Sequence, residues 1–325
     1  MKVLKFGGMT LENTEKIKSA AAIVQSQLKS QKNLIVVVSA MGKTTNELIQ
    51  LANKVSSNPP ARELDMLLSV GERISMSLMS IALHDLGISS VSLTGSQAGI
   101  LTTEEHFDAQ ILEVKPVRIV EELTKKQVII IAGFQGVSAV KKEITTLGRG
   151  GSDITAVAFA ARFDCPCVIL KEVPGIMSAD PEQVPNAFLI HEMDYASFVD
   201  ITKHGAKVVN SRAAEYAAKN NVTVEVQLAS AQAKPGTVIS KTTHFSRSDF
   251  TLSIMTSTDQ KKSIRVTSYL TKDDLEHLLK TSPNAQSDSQ GISILLKTDE
   301  SSDIEVKKKM NLLYQQLVEL KNRRT

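Results

Sequence analysis

The sequence predicts an α/β protein: an open, mainly parallel sheet with helices on both faces, followed by a smaller α+β unit. Three observations predict it. Short apolar runs alternate with helical patterns over the first 230 residues, the order of strands joined by crossover helices. Leu34–Val38 is a continuous aliphatic run rich in β-branched residues, which suits a strand covered on both faces. Past residue 235 apolar residues alternate with polar ones, the mark of half-exposed strands. The 325 residues, 42% of them hydrophobic and 22% charged, are enough for one large or two ordinary domains. The division falls at residues 1–240 and 241–325.

Taken in order, Val3–Phe6 is a short strand followed by Gly7-Gly8, and residues 12–30 carry Ile17, Ala20, Ala21, Val24 and Leu28 at helical spacing. After Leu34–Val38, the pair Pro59-Pro60 interrupts the chain. Residues 62–86 then form a long helix with Leu64, Leu67, Leu68, Ile74, Leu78 and Ile81 as its apolar side. Val91–Leu93, Val128–Ala132 and Val168–Leu170 are further strands, helices cover about 152–163 and 210–219, and Val222–Val226 closes the series. Lys234-Pro235-Gly236 is a turn. Beyond it Phe250, Leu252 and Ile254, then Ile264 and Val266, then Ile292, Ile294 and Leu296 alternate with polar residues. Helices over about 271–280 and 302–321 complete the unit, and the polar, turn-rich Pro283–Gln290 reads as a loop.

Composition excludes several classes. No run approaches the roughly 20 apolar residues of a membrane span, and MKVLKFGG has no long apolar stretch before a cleavage site, so secretion is not expected. Lys and Arg number 38 against 35 Asp and Glu; residues 241–325 hold 14 basic and 11 acidic residues, so the +3 excess lies there and residues 1–240 are neutral. That argues against a general nucleic-acid binder, which concentrates positive charge. Cys165 and Cys167 flank a proline on a buried strand; neighbours on one strand rarely bridge, and reduced thiols in a cytoplasmic protein are the expectation.

In open parallel sheets ligands bind at the carboxyl ends of strands, so chemistry is sought in the loops that follow them. Lys5 ends an otherwise apolar strand, a costly place for an ammonium unless it meets an anion. Gly7 and Gly8 then let backbone N–H groups approach a ligand, which suits phosphate; the alternative is an ordinary glycine turn. Leu147-Gly148-Arg149-Gly150-Gly151-Ser152-Asp153 precedes a helix. Arg149 offers a planar fork for a carboxylate or phosphate, and Ser152 or Asp153 can cap the helix. Capping alone needs neither three glycines nor an arginine. Val38-Ser39-Ala40-Met41-Gly42-Lys43-Thr44-Thr45-Asn46 contains Gly-Lys-Thr but has Val37 where a P-loop has its first glycine, so that reading fails on spacing. Gly71 beside Glu72 inside a helix costs about 1 kcal/mol against alanine, and close approach of another element or a ligand would explain it.

Together, in this order, the blocks resemble aspartokinases of the amino-acid-kinase family. They are KFGG at 5–8, VVVSAMGKTTNELI at 36–49, RELDMLLSVGE at 62–72, AGFQG at 132–136, TTLGRGGSD at 145–153 and GAKVV at 205–209. The resemblance covers about residues 1–240. It implies the amino-acid-kinase fold, with ATP and an acidic amino acid over the strand ends, the side-chain carboxylate of aspartate attacking the γ-phosphate, and Mg2+ bridging the phosphates. It implies catalytic roles for Lys5, Lys207 and Asp153, with both lysines holding phosphates. On the nucleotide side it places Gly7, Gly8, Ser39, Lys171, Glu172, Gly175, Met177 and Asp180. On the amino-acid side it places Ser39, Thr45, Glu72 at the α-ammonium, Arg149 at a carboxylate, and Gly150, Gly151, Ser152 and Asp153.

The departures from the family pattern cluster on the nucleotide side. Lys171-Glu172 stands for the usual Thr-Asp, Met177 for an aromatic, Glu182 for an arginine, and Asn210-Ser211 for His-Pro. Altered nucleotide affinity or base choice follows; the retained Lys5, Lys207, Arg149 and Asp153 argue against a simple pseudoenzyme. In the C-terminal region one incomplete ACT-like unit replaces the family's two. Thr271-Lys272-Asp273-Asp274 replaces its Pro-Gly effector turn, which speaks against amino-acid feedback control. Its exposed strands suit a homodimer, and Ile304, Leu313, Leu317 and Leu320 suit a helix that covers the small sheet. Two other readings stay open: a kinase of another acidic amino acid or carboxylate, and a catalytically silent amino-acid or nucleotide sensor.

Overall fold

The computed structural model describes residues 1–204, 208–232, 236–241, 250–256, 262–268, 285–287, 293–297 and 303–322. The chain divides into two compact units, Met1–Pro174 with Glu215–Pro235, and Gly175–Ala214 with Gly236–Thr325. Residues 175–214, read from the sequence with the first 240, thus group with the C-terminal part.

In the first unit six parallel strands follow the order β13-β9-β1-β2-β6-β3. They are β1 (Lys2–Phe6), β2 (Leu34–Val38), β3 (Ser90–Leu93), β6 (Val128–Ala132), β9 (Cys167–Lys171) and β13 (Val224–Leu228). All five residues of β2 and of β6 are buried, as continuous aliphatic runs require when both faces are covered. Leu4, Phe6, Val36, Val38, Ile130, Ala132, Val168 and Leu170 face one side. There they pack on Ile17, Ala20, Ala21 and Val24 of α1 (Thr14–Leu28) and on Met76, Met79 and Leu83 of α3 (Ala61–Asp85). Asn13 starts α1 by accepting from the Lys16 N–H at 2.9 Å, one of the donors a helix start leaves unpaired. By the alternation of a strand, Val3, Lys5, Val37, Ile169 and Lys171 face the other side, where α5 (Gly151–Arg162) packs on β1, β2 and β9.

Helix α3 is the one described helix whose length and composition would let it cross a membrane. Here it buries Leu68, Ser69, Gly71, Glu72, Ser75, Met76, Met79 and Leu83, so it is a core helix. Gly71 has a packing cause: a Cβ there would stand 2.8 Å from the Cβ of Ala40. A second sheet in this unit, unforeseen in the sequence, follows the order β5-β4-β7-β8. Its strands are β4 (Ile100–Thr102), β5 (Ile111–Val114), β7 (Gln135–Ser138) and β8 (Ile144–Thr146), and β8 packs on α3. Helices α2 (Thr44–Val55) and α4 (Val117–Leu123) complete the unit. Cys165 and Cys167 are free thiols; burial pushes both upward, so neither is poised as a thiolate.

The second unit contains the short strands β10 (Ile176–Met177), β11 (Leu189–Ile190), β12 (Glu192–Met193) and β14 (Thr237–Ile239), with α6 (Tyr195–Lys203); α7 (Ser211–Asn220) straddles the boundary. An antiparallel sheet in the order β15-β16-β18-β17 is formed by β15 (Phe250–Thr256), β16 (Lys262–Ser268), β17 (Ala285–Ser287) and β18 (Ser293–Lys297). Strand β17 corrects the reading of Pro283–Gln290 as loop. Its pairing with Ile294–Leu296 of β18 is made by backbone, which polar side chains do not prevent. Residues 271–280, expected to be helical, lie outside the described residues.

Helix α8 (Asp303–Asn322) buries Val306, Met310, Leu313, Tyr314 and Leu317. Most of these join Phe250, Leu252, Ile264 and Val266 in one core, the covering role expected of this helix; the side chains of Ile304 and Leu320 lie outside what is described. Tyr314 meets Phe250 edge-on at 5.4 Å between ring centres, and its hydroxyl donates to the Asn186 carbonyl at 2.8 Å. Lys307 Nζ reaches the Glu182 carbonyl at 2.9 Å and Asn311 the Gln183 carbonyl at 3.0 Å. The segment between β10 and β11 is therefore held by a helix more than a hundred residues later.

Candidate active site

The carboxyl ends of β1 and β2 and the start of α5 meet in the first unit. Lys5, 3% exposed, places its Nζ 2.5 Å from Oδ1 of Asp153 in the first turn of α5. An ammonium on a sheet face that is otherwise apolar needs such a partner. A carboxylate in the first turn of a helix also meets the positive end of its dipole. Gly150, at φ +73°, turns the chain into α5 through a conformation that favours glycine. Ser152 Oγ lies 2.7 Å from Ser39 Oγ, which ties that turn to the loop after β2. The Gly42 N–H donates to the Gly8 carbonyl at 2.9 Å, so the loops after β1 and β2 are joined as well.

Glu72 enters from α3. Its Oε1 accepts from the Ala40 N–H at 3.0 Å, while its Oε2, buried, has no hydrogen-bond partner among the described residues. Burial pushes this carboxyl up to about 7, against the opposing pull of the Ala40 N–H and of the Lys5 charge. A buried carboxylate oxygen left without a donor is costly unless a cationic ligand supplies one. Lys171, at the end of β9, is lowered by burial and by the neighbouring Lys5 charge, with Asp153 acting the other way.

Lys5, Ser39, Glu72, Ser152, Asp153 and Lys171 are thus brought together with the Gly7-Gly8 turn. Gly150 and Gly151 form the entry to α5, and Arg149 is exposed on the same loop. Thr45 is half-buried in the first turn of α2. Glu172 points away from Lys171: its carboxylate lies 2.6 Å from Lys16 Nζ in an exposed pair. Gly175, Met177 and Asp180 belong to the second unit. There Met177 pairs with Leu189, and Asp180 Oδ1 caps a turn by accepting from the Glu182 N–H at 2.9 Å. Lys207 lies outside the described residues, as do Gly205 and Ala206.

Sequence reasoning missed Asp65. This carboxylate, 0% exposed on α3, accepts from the Phe107 N–H at 3.1 Å and from Thr146 Oγ1 at 2.6 Å, and lies 2.7 Å from His106 Nδ1. Thr146 stands immediately before the loop that carries Arg149, and Ala109 N–H donates to its carbonyl at 2.9 Å. Asp65 therefore anchors the support of the Arg149 loop. Replacing Asp65 by Ala is expected to cost about 3–5 kcal/mol, because several buried donors lose their acceptor at once. Urea unfolding checks this, and a loss below about 1 kcal/mol would remove the anchoring role.

A parallel sheet with a buried lysine, a carboxylate and glycine turns at its strand ends places these groups where open α/β sheets bind their ligands. The chain belongs to the amino acid kinase family, whose model matches residues 1–227. Over 238 residues it is 45% identical to the aspartokinase of Mycolicibacterium smegmatis, covering 73% of this chain and 56% of that one. It is 44% identical over 238 residues to the aspartokinase of Geobacillus stearothermophilus, covering 58% of that protein. The chain thus spans little more than half the length of these curated relatives. Among solved structures, that of aspartate kinase from Synechocystis aligns with a TM-score of 0.66 at 30% identity, over 92% of this chain and 52% of that one.

Proposed function

We propose that this chain transfers the γ-phosphoryl group of ATP to the side-chain carboxylate of L-aspartate, forming 4-phospho-L-aspartate and ADP. The observation that carries the reading is the buried Lys5–Asp153 pair, near enough for the Lys5 charge to act on Glu72, whose Oε2 has no hydrogen-bond partner among the described residues. The aspartokinase relatives support it over the part of the chain that holds this site. A carboxylate oxygen of aspartate forms the new O–P bond as the bond from the γ-phosphorus to the β–γ bridging oxygen breaks, and ADP leaves with that electron pair. Such transfer needs alignment and charge stabilisation more than covalent help from the protein.

Each residue has a part in this. Lys5, held in line by Asp153, stabilises the charge spreading over the transferred group. The Gly7-Gly8 turn and Ser39 line the phosphate path, and Lys207 supplies a second ammonium. Glu72 accepts the α-ammonium of aspartate with the oxygen now lacking a donor. Arg149 pairs with a carboxylate, and Thr45, Gly150, Gly151 and Ser152 shape the amino-acid side. A Mg2+ ion bridging the phosphates would be held mostly by phosphate oxygens and water rather than by side chains. That ion would supply charge neutralisation on the phosphates.

Residues 1–240 form the catalytic part in this reading. The C-terminal sheet, with β15 and β17 as its outer strands, is where a homodimer forms, and a reducing cytoplasm suits the two free thiols. Trapping with hydroxylamine tests the chemistry. With ATP, Mg2+ and aspartate the purified chain is expected to yield aspartyl hydroxamate. Turnover of a different acid without that product would move the reading to another acceptor, and ligand-induced stabilisation without any turnover would make the protein a sensor.

A further inference from the structure

We infer that Lys171 is a further phosphate-facing ammonium of this site, seated one row nearer the strand end than Lys5, and that it sets a preference for longer phosphate chains. The inference rests on the nucleotide reading above. Strand β9 alternates: Val168 and Leu170 point into the core shared with α1 and α3, so Ile169 and Lys171 point to the opposite face. The register pairs Lys5 with Ile169 and Phe6 with Leu170; continued by one residue, it sets Gly7 beside Lys171.

Gly7 leaves open the space that a side chain would take. A Cβ there would lie 3.9 Å from Cδ of Lys171 and 3.9 Å from Nζ of Lys5. The two lysine side chains therefore border the same small volume over the Gly7 backbone. The Lys171 backbone is fixed where it stands, opposite Leu228 in the register with β13, with its carbonyl accepting from the Ala229 N–H at 2.7 Å.

Asp153 is the carboxylate that pairs with Lys5. Glu172, the neighbour of Lys171, is turned outward to Lys16, and no carboxylate forms an ion pair with Lys171 among the described residues. Two ammonium groups thus border the glycine turn, and the ion pair formed there among the described residues is that of Lys5 with Asp153, which leaves the Lys171 ammonium for an anion. Burial and the Lys5 charge both lower the Lys171 ammonium, against the pull of Asp153, and an anion beside it would favour the charged form. Because Lys171 lies beyond Lys5 along the strands, the two ammonium groups address successive positions of one phosphate chain.

The test is binding of ATP, ADP, AMP and adenosine to the full chain as wild type, Lys171→Met and Lys171→Arg, with thermal melting as the folding control. The Met variant is expected to weaken ATP binding roughly ten- to a hundredfold, as loss of a charge-assisted hydrogen bond does. Adenosine binding should change less than about twofold, and the Arg variant should recover most of the ATP affinity. Equal ATP affinity in wild type and Met variant overturns the inference, as does an equal loss for ATP and adenosine. A wild-type chain that binds none of the four overturns the nucleotide reading itself, and this inference with it.

Discussion

Replacing Lys5 by Met is expected to reduce phosphoryl transfer by roughly a thousandfold, the upper end for removing one transition-state donor. The same change strands Asp153, 4% exposed, as a buried carboxylate without its ammonium. Breaking one side of such a pair costs about 3–5 kcal/mol of stability. The two effects separate in the double variant Lys5→Met/Asp153→Asn: stability returns toward wild type because the stranded charge is gone, while turnover stays low. Urea unfolding and single-turnover transfer together check this. Turnover of the Lys5→Met variant within tenfold of wild type would remove Lys5 from the chemistry.

Replacing Glu72 by Gln should have opposite effects on binding and on stability. The Glu72 carboxyl is raised from its ordinary value to about 7. Between about pH 4.5 and 7 the folded protein keeps a proton that the unfolded chain has lost, so stability falls as pH rises through that window. The full loss, from a raised value of this size, is about 3 kcal/mol, and it is present above pH 7. The Gln variant lacks this slope, so the ligand-free variant is expected to be at least as stable as wild type at pH 8. Amino-acid binding should nevertheless collapse, because an amide gives the α-ammonium no charge to meet. In wild type near pH 6.5, binding of aspartate should expel a proton from Glu72. Calorimetry in two buffers of different ionisation enthalpy reads that proton, and aspartate binding to wild type without proton release near pH 6.5 would remove Glu72 from the amino-acid site.

Much of this site could be read from residue order because its causes are local. Lys5 betrays itself as a charge at the end of an apolar strand, and β2 and β6 as aliphatic runs that only a doubly covered sheet would accept. Gly71 asks for a close neighbour, and Ala40 turns out to be that neighbour. Asp65 was illegible because a carboxylate on a helix looks like a solvated one until the Thr146 and Phe107 donors, far off in sequence, are folded onto it. The sheet of β4, β5, β7 and β8 escaped for a related reason. Its strands are only three or four residues long, too short for a period to show. Phe107, Phe134 and Lys142, at or between these strands, also take positive φ without the glycine that usually announces it. Strand β17 is polar and was hidden because its pairing uses backbone atoms alone.

The grip of α8 on the stretch from Ser178 to Phe188 makes this helix part of an earlier region's folding. Tyr314 satisfies the Asn186 carbonyl and meets Phe188 and Phe250, so a protein cut before residue 303 would present wet aromatic rings and orphaned carbonyls in its place. A cut before residue 303 would therefore be felt in a loop that it does not touch, and a nascent chain could complete that loop only after residues 303–322 had left the ribosome.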